Sequence, residues 1–143
     1  MINLGTLEEI SPFKLPEVGN NLEQLEQENV ELLHSIFESL KLRDVVKVSN
    51  YFSDFASIDS MGGNIPPVIG REAILVYFRN VFAAKDEIEF ELACAPVAFG
   101  NIVLVKQINH FLKNGIQHKD VYVNSVFVFN GKVNKWIAHL QQA

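Results

Sequence analysis

Cysteine, clustered basic residues and long apolar runs are what this chain has least of. Cys94 is the single cysteine in 143 residues, so no internal disulfide can form and nothing points to export. In the strand expected around it, a lone thiol reads as an inert core group rather than a nucleophile. No apolar stretch approaches the ~20 residues that a membrane helix needs. The start, Met1 to Ile10, has neither the basic residues nor the apolar run of a signal peptide, and a cytoplasmic location is the expectation. Twelve Lys and Arg stand against 17 Asp and Glu, a net charge of −5. The basic residues do not cluster, which argues against nucleic acid and anionic membrane as partners, because neither phosphate array could be neutralised. His34, His110, His118 and His139 lack metal-ligand spacing, and there is no phosphate loop and no nucleophile elbow. No metal and no cofactor is expected.

What is present is material for a core. Apolar residues make up 48% of the chain and include eleven Phe, enough for one domain with a substantial interior. Residues 1–20 hold Gly5, Pro12, Pro16 and Gly19 without a sustained period and read as an irregular arm. Ile2, Leu4, Leu7, Ile10 and Phe13 give that arm apolar surface to pack on the domain or on a partner subunit. Residues 21–143 read as the folded domain.

Helical spacing of Leu22, Leu25, Leu32, Leu33, Ile36, Phe37 and Leu40 predicts a long helix from about Asn21 to Leu42. Asp44 can cap a short second helix through Tyr51, and a third is expected over about Arg71 to Ala83. Phe55 to Ser60 reads as a first strand, followed by a loop marked by Gly62-Gly63 and Pro66-Pro67. Four more strands are expected at about Ile88–Pro96, Asn101–Lys113, Val121–Asn130 and Lys132–Gln141. Asn114-Gly115 and Asn130-Gly131 mark tight hairpins, because a type I′ turn needs positive φ at both central residues. Helices first and an antiparallel meander afterwards predict an α+β domain with the helices on one sheet face.

The strand Asn101–Lys113 is apolar on both faces, and so is the next one. A sheet with one wet face would alternate cleanly. Helices cover one side, so the other is expected to be covered by a second copy, an isologous homodimer through the outer sheet face centred on Ile108, Val126, Val128 and Ile137. In this reading Val121, Val123, Ser125 and Phe127 face the core.

Two motifs carry a resemblance. Pro66-Pro67-x-x-Gly70-Arg71-Glu72-Ala73 opens the third helix, and Val126-Phe127-Val128-Phe129-Asn130-Gly131-Lys132 leads through Val133, Asn134 and Lys135 to Trp136. Together they resemble the NTF2-like superfamily, and within it the limonene-epoxide-hydrolase-like and SnoaL-like (polyketide-cyclase-like) group, over roughly residues 28–140. The resemblance implies a cone of about three helices on a curved antiparallel sheet. It also implies where chemistry would sit. The hydrolases present Arg-x-Asp inward from one strand and a second Asp two residues after the Trp of the last. Those positions fall on Gln107, Asn109 and Ala138, and the water-holding Tyr and Asn of the first strand fall on Ile58 and Ser60. The ketosteroid-isomerase pattern of the same fold is also missing, since its base, its oxyanion-hole Asp and its Tyr fall on Ser60, Ser125 and Ile36.

The expected pocket is thus apolar with a few neutral groups: Ser60, Tyr77, Gln107, Asn109, Ser125 and Trp136 as ligand-binding residues. Gln107 and Asn109 share a face by their i, i+2 spacing, and they either bond one another to fix the core or meet a ligand. The functional expectation is a pocket protein for a small, mostly apolar molecule. The alternative is a SnoaL-like enzyme (isomerase, cyclase or hydrolase) with a non-standard residue set. It would use Tyr77 or, if the first strand slips by one residue, Asp59 as a catalytic base.

Overall fold

The computed structural model describes residues 20–61 and 66–141. The expected arm, apart from Asn20, and the Gly62-Gly63 turn lie outside the described residues. Helix α1 (Asn20–Lys41) carries Glu23 in its first turn and Lys41 in its last, both matched to the helix dipole. It buries Leu33, Ile36, Phe37 and Leu40, one stripe at helical spacing. Asp44 caps α2 (Val45–Asn50) by accepting from the Lys47 N–H at 3.1 Å. Helix α3 (Arg71–Ala84) follows Gly70, whose φ of +96° is open to glycine but strained for other residues. Ile74 and Phe78 are its buried face. No helix of the described residues is long and apolar enough to cross a membrane.

Seven strands form the sheet: β1 (Phe52–Met61), β2 (Val68–Ile69), β3 (Asp86–Leu92), β4 (Val97–Phe99), β5 (Ile102–Lys113), β6 (Ile116–Phe129) and β7 (Lys132–Gln141). Their order is β2-β1-β7-β6-β5-β3, with β4 also paired to β5. The sheet is mixed rather than wholly antiparallel, because β1 runs parallel to β7. Such a pair needs a long crossover, and everything from β2 to β6 supplies it. The two- and three-residue strands β2 and β4 are too short to show alternation in a sequence. Strand β3 ends at Leu92, so Cys94 is an exposed residue of the following bend and not a core thiol. Helix α1 is tied to the sheet edge at the β4–β5 turn. There Asn29 Nδ2 donates to the Gly100 carbonyl at 2.9 Å, and the Gly100 N–H donates to Glu26 Oε2 at 2.7 Å.

Both Asn-Gly hairpins form with positive φ at each central residue. From the first, β5 and β6 pair without a break, Lys113 opposite Ile116 through to Ile102 opposite Phe127. From the second, Phe129 pairs with Lys132 and Val128 with Val133, but Phe127 then pairs with Lys135. Asn134 is therefore the extra residue of a β-bulge, and every later residue of β7 is displaced by one.

The bulge overturns the expected faces of β6. Counted strictly from the turn, Trp136 would oppose Ser125; in the structure it opposes Val126. Val126 and Val128 are buried core residues and cannot centre an outer-face contact. Val123 and Phe129 are exposed, and Ser125 and Phe127 share their outer side. Trp136 packs between Phe37 and Phe52, with ring centroids 6.1 and 6.2 Å away. Phe52 is wholly buried in this cluster. Phe52→Ala should lower unfolding free energy by about 3–5 kcal/mol, read from the urea midpoint with the m-value unchanged.

Candidate functional site

Between the helices and the inner sheet face lies a cavity of about 90 Å³. Helix α1 contributes Ile36 and Leu40, and α3 contributes Tyr77 and Phe78. The remaining wall comes from the sheet: Ile58 and Ser60 on β1, Phe90 on β3, Gln107 and Asn109 on β5, Tyr122 on β6, and Trp136 and Ala138 on β7. Pro66 and Val68 complete the lining. Strand pleating explains the set. Gln107 and Asn109 are two apart on one strand, Tyr122 sits opposite Gln107, and Ser60 sits opposite Ala138.

Of the residues expected to bind a ligand, Ser60, Tyr77, Gln107, Asn109 and Trp136 border the cavity. Ser125 does not, because the bulge at Asn134 puts it on the outer face across from Leu104 and Ile137. Asp59 also faces outward. It lies opposite Ile137, accepts from Ser57 Oγ at 3.5 Å and pairs with Lys135 Nζ at 3.5 Å. A carboxylate held there by a lysine cannot serve as a base inside the cone. Sequence reasoning missed Tyr122 and its neighbour Asn124. Counting back from the unbroken Asn114-Gly115 hairpin would have found both, since Tyr122 falls opposite Gln107 and Asn124 opposite Val105.

Three side-chain amides form a chain that starts behind this wall at Asn124 and ends on it at Gln107 and Asn109. Asn124 Nδ2 donates to Gln107 Oε1 at 2.7 Å, and Gln107 Nε2 donates to Asn109 Oδ1 at 2.6 Å. Gln107 and Asn109 thus bond one another and line the cavity at once. Asn124 is 1% exposed, and its Oδ1 is buried with no partner among the described residues.

No Asp, Glu, His, Lys, Arg or Cys is among the described residues of the lining. The titratable groups are the two phenols. Burial pushes the Tyr77 hydroxyl above its ordinary range. Burial raises Tyr122 as well, helped by the negative charge of Asp120 and by Tyr77. Both are neutral hydrogen-bonding groups at physiological pH. Among the described residues no group of three or more His, Cys, Asp or Glu could hold a metal ion.

No protein-family model matches the chain, and no curated protein matches it by sequence. Solved structures do. An LEH-like epoxide hydrolase of M. tuberculosis superposes with a TM-score of 0.69 at 14% identity, over 81% of this chain and 84% of that one. This chain has the NTF2-like fold. At such identity the likeness speaks for architecture, while chemistry must be read from the site. In the NTF2-like cone described here, Gln107, Asn109, Ala138, Ile58, Ser60 and Ile36 all border one cavity. The sequence resemblance assigns reactive positions of hydrolases and isomerases with this fold to these six and to Ser125, which lies on the outer face.

The phenols give the NTF2-like domain an alkaline limit. An unfolded chain ionises its tyrosines near pH 10, whereas Tyr77 and Tyr122 stay protonated to higher pH in the fold. The unfolded state then binds fewer protons, so stability falls as pH rises above 10. Their contribution is intact below that value and lost as pH rises through the raised values. Tyr77→Phe should flatten the decline of unfolding midpoint between about pH 9.5 and 11.

Proposed function

We propose that this chain is a small-molecule pocket protein that binds an uncharged, mostly apolar ligand in the cone without turning it over. The observation that carries this reading is the lining itself. Aromatic and aliphatic groups surround Ser60, Tyr77, Gln107, Asn109 and Tyr122, and every one of these polar groups is neutral. Ligand sites have this profile of apolar wall and few fixed polar groups.

Hydrolysis of an epoxide needs a carboxylate to take a proton from water and an acid to protonate the leaving oxygen. General acid–base help of this sort contributes about 10²–10⁴-fold. Gln107, Asn109 and Ala138 supply neither group. The alternative, a SnoaL-like enzyme, loses Asp59 to the outer face. It retains only Tyr77, whose raised phenol is a poor base at neutral pH.

Two measurements test the pocket. Ala138→Leu puts three more carbons into the cavity, so it should abolish the thermal shift produced by small neutral ligands while leaving the unfolding midpoint unchanged or higher. Undiminished binding by that variant would remove the cone as the site. Second, the unmodified protein should not hydrolyse small epoxides. Any turnover gained should appear in the combined variant Gln107→Arg, Asn109→Asp, Ala138→Asp; clear turnover by the natural sequence would defeat the binding-only reading.

We also propose a homodimer through the outer sheet face. Two rows support it, Val97–Leu104–Ser125–Ile137 and Phe99–Ile102–Phe127–Lys135, each crossing four strands. Val97, Phe99, Ile102, Leu104 and Val123 are exposed there. An apolar patch of this extent marks an interaction site. Around it stand charges of both signs, among them Lys106, Lys119, Asp59 and Glu91, so an isologous partner can meet its complement. Leu104→Lys should yield a stable monomer in sedimentation, because it would desolvate a charge at the seam; a monomeric natural protein at micromolar concentration would refute the dimer.

A further inference from the structure

The three amides that run from the buried Asn124 to the cavity wall point one way, and the direction has a consequence for what the cavity accepts. Asn124 donates to Gln107, and Gln107 donates to Asn109. The deep end of the chain is therefore an acceptor, Asn124 Oδ1, and the end at the cavity is a donor, Asn109 Nδ2. Turning all three amides over would preserve both bonds but exchange the ends. It would bury the Asn124 NH₂ with two N–H bonds and no acceptor. Orphaned buried N–H groups are rarer than under-satisfied carbonyl oxygens, which carry two lone pairs and tolerate partial neglect. Because Asn124 is 1% exposed with no partner for its oxygen, the buried end decides the polarity of the whole chain.

Polarity also sets strength. An amide that accepts at its oxygen becomes a better donor at its nitrogen. Hydrogen bonds linked head to tail polarise one another by roughly 10–30% per bond. Asn109 stands last in line, behind two such bonds, and it borders the cavity beside Tyr122 and Tyr77. Its oxygen is occupied by Gln107 Nε2, so what it has left to offer is an N–H. A carboxylate ligand would meet that N–H without any cation among the described lining residues to offset its desolvation.

We infer that the cavity selects an uncharged ligand carrying a carbonyl-type acceptor oxygen, received by the Asn109 Nδ2–H at the end of this one-way amide chain. The inference rests on the pocket reading above and adds a ligand class to it. The hydrophobic part of such a ligand lies among Ile36, Leu40, Phe78, Phe90 and Trp136. Asn109 is its specificity-determining residue.

Two molecules of nearly the same shape separate the inference from the pocket reading. Cyclopentanone and methylenecyclopentane differ in whether the exocyclic atom can accept a hydrogen bond. Affinities would be measured by ligand-observed NMR for the natural protein and for Asn109→Asp, which keeps an oxygen for Gln107 Nε2 but has no N–H to give. The expected result is a preference for the ketone of about five-fold or more, the value of one net hydrogen bond. The preference, read as the ratio of the two affinities within each protein so that any change in overall binding cancels, should be lost or reversed in Asn109→Asp. In the natural protein the C=O stretch of bound cyclopentanone should move to lower frequency, a readout that depends on no variant. Equal binding of the two molecules, with an unshifted C=O stretch, would overturn the acceptor inference and leave the pocket standing. Failure of both molecules to bind saturably would overturn the pocket reading and the inference together.

Discussion

A single unpaired residue, Asn134, sets the geometry on which the interior depends. Pairing across the Asn130-Gly131 turn is regular only as far as Val128 and Val133, and the bulge then advances β7 by one place. That step brings Trp136 onto the same side as Val126 and Val103, against Phe37 of α1 and Phe52 of β1. It likewise aligns Ala138 with Asn124 and Ser60. Because side chains alternate with period two, a strand without the bulge would turn Trp136 and Ala138 to the other face. The aromatic core and the cavity wall would then be lost together.

Core and cavity are continuous in this domain, and residue size divides them. Where Phe37, Phe52 and Trp136 meet, large rings fill the space between helix and sheet. Two residues further along β7, Ala138 leaves that space open. Polar groups gather at the same end: Ser60, Gln107, Asn109 and Tyr122. Burying amides costs free energy unless they are bonded. The Asn124–Gln107–Asn109 chain engages both the oxygen and the nitrogen of Gln107 and leaves Asn124 Oδ1 at one end and Asn109 Nδ2 at the other outside the chain. A chain of neutral amides also explains how the wall can be polar without charge. It orients dipoles toward the cavity and needs no counter-ion, whereas an Arg–Asp set in the same position would have to balance two desolvated charges.

The two faces of the sheet do different work for the same reason. Helices α1 and α3 cover the inner face and supply Ile36, Leu40, Tyr77 and Phe78 to the cavity. The outer face carries Ile102, Leu104 and Val123 exposed on long paired strands. Asp59 belongs to this second surface, tied to Lys135. Its carboxylate thus bears on the outer face, and the described residues of the cavity lining carry no charged side chain.

By itself the sequence determined the three helices, the long strands and both Asn-Gly turns, because these depend on local periodicity and on backbone conformations few residues adopt. It also determined that Gln107 and Asn109 share a strand face, by their i, i+2 spacing, and that Gln, Asn and Ala stand at positions 107, 109 and 138. Tertiary structure decided the faces of β6. Its two sides are almost equally apolar, so hydrophobic pattern could not choose between Ser125 and Asn124, and counting from the nearer turn failed at the bulge. Tertiary structure also decided that β1 lies parallel beside β7 and that β2 and β4 exist at all. Pairing between distant segments is fixed by which edges remain open once the hairpins have formed, and no local preference encodes it. For the same reason Tyr122 and Asn124 came to light only when β5 was laid beside β6, where hydrogen bonds across the sheet, not spacing along the chain, bring the amides into line.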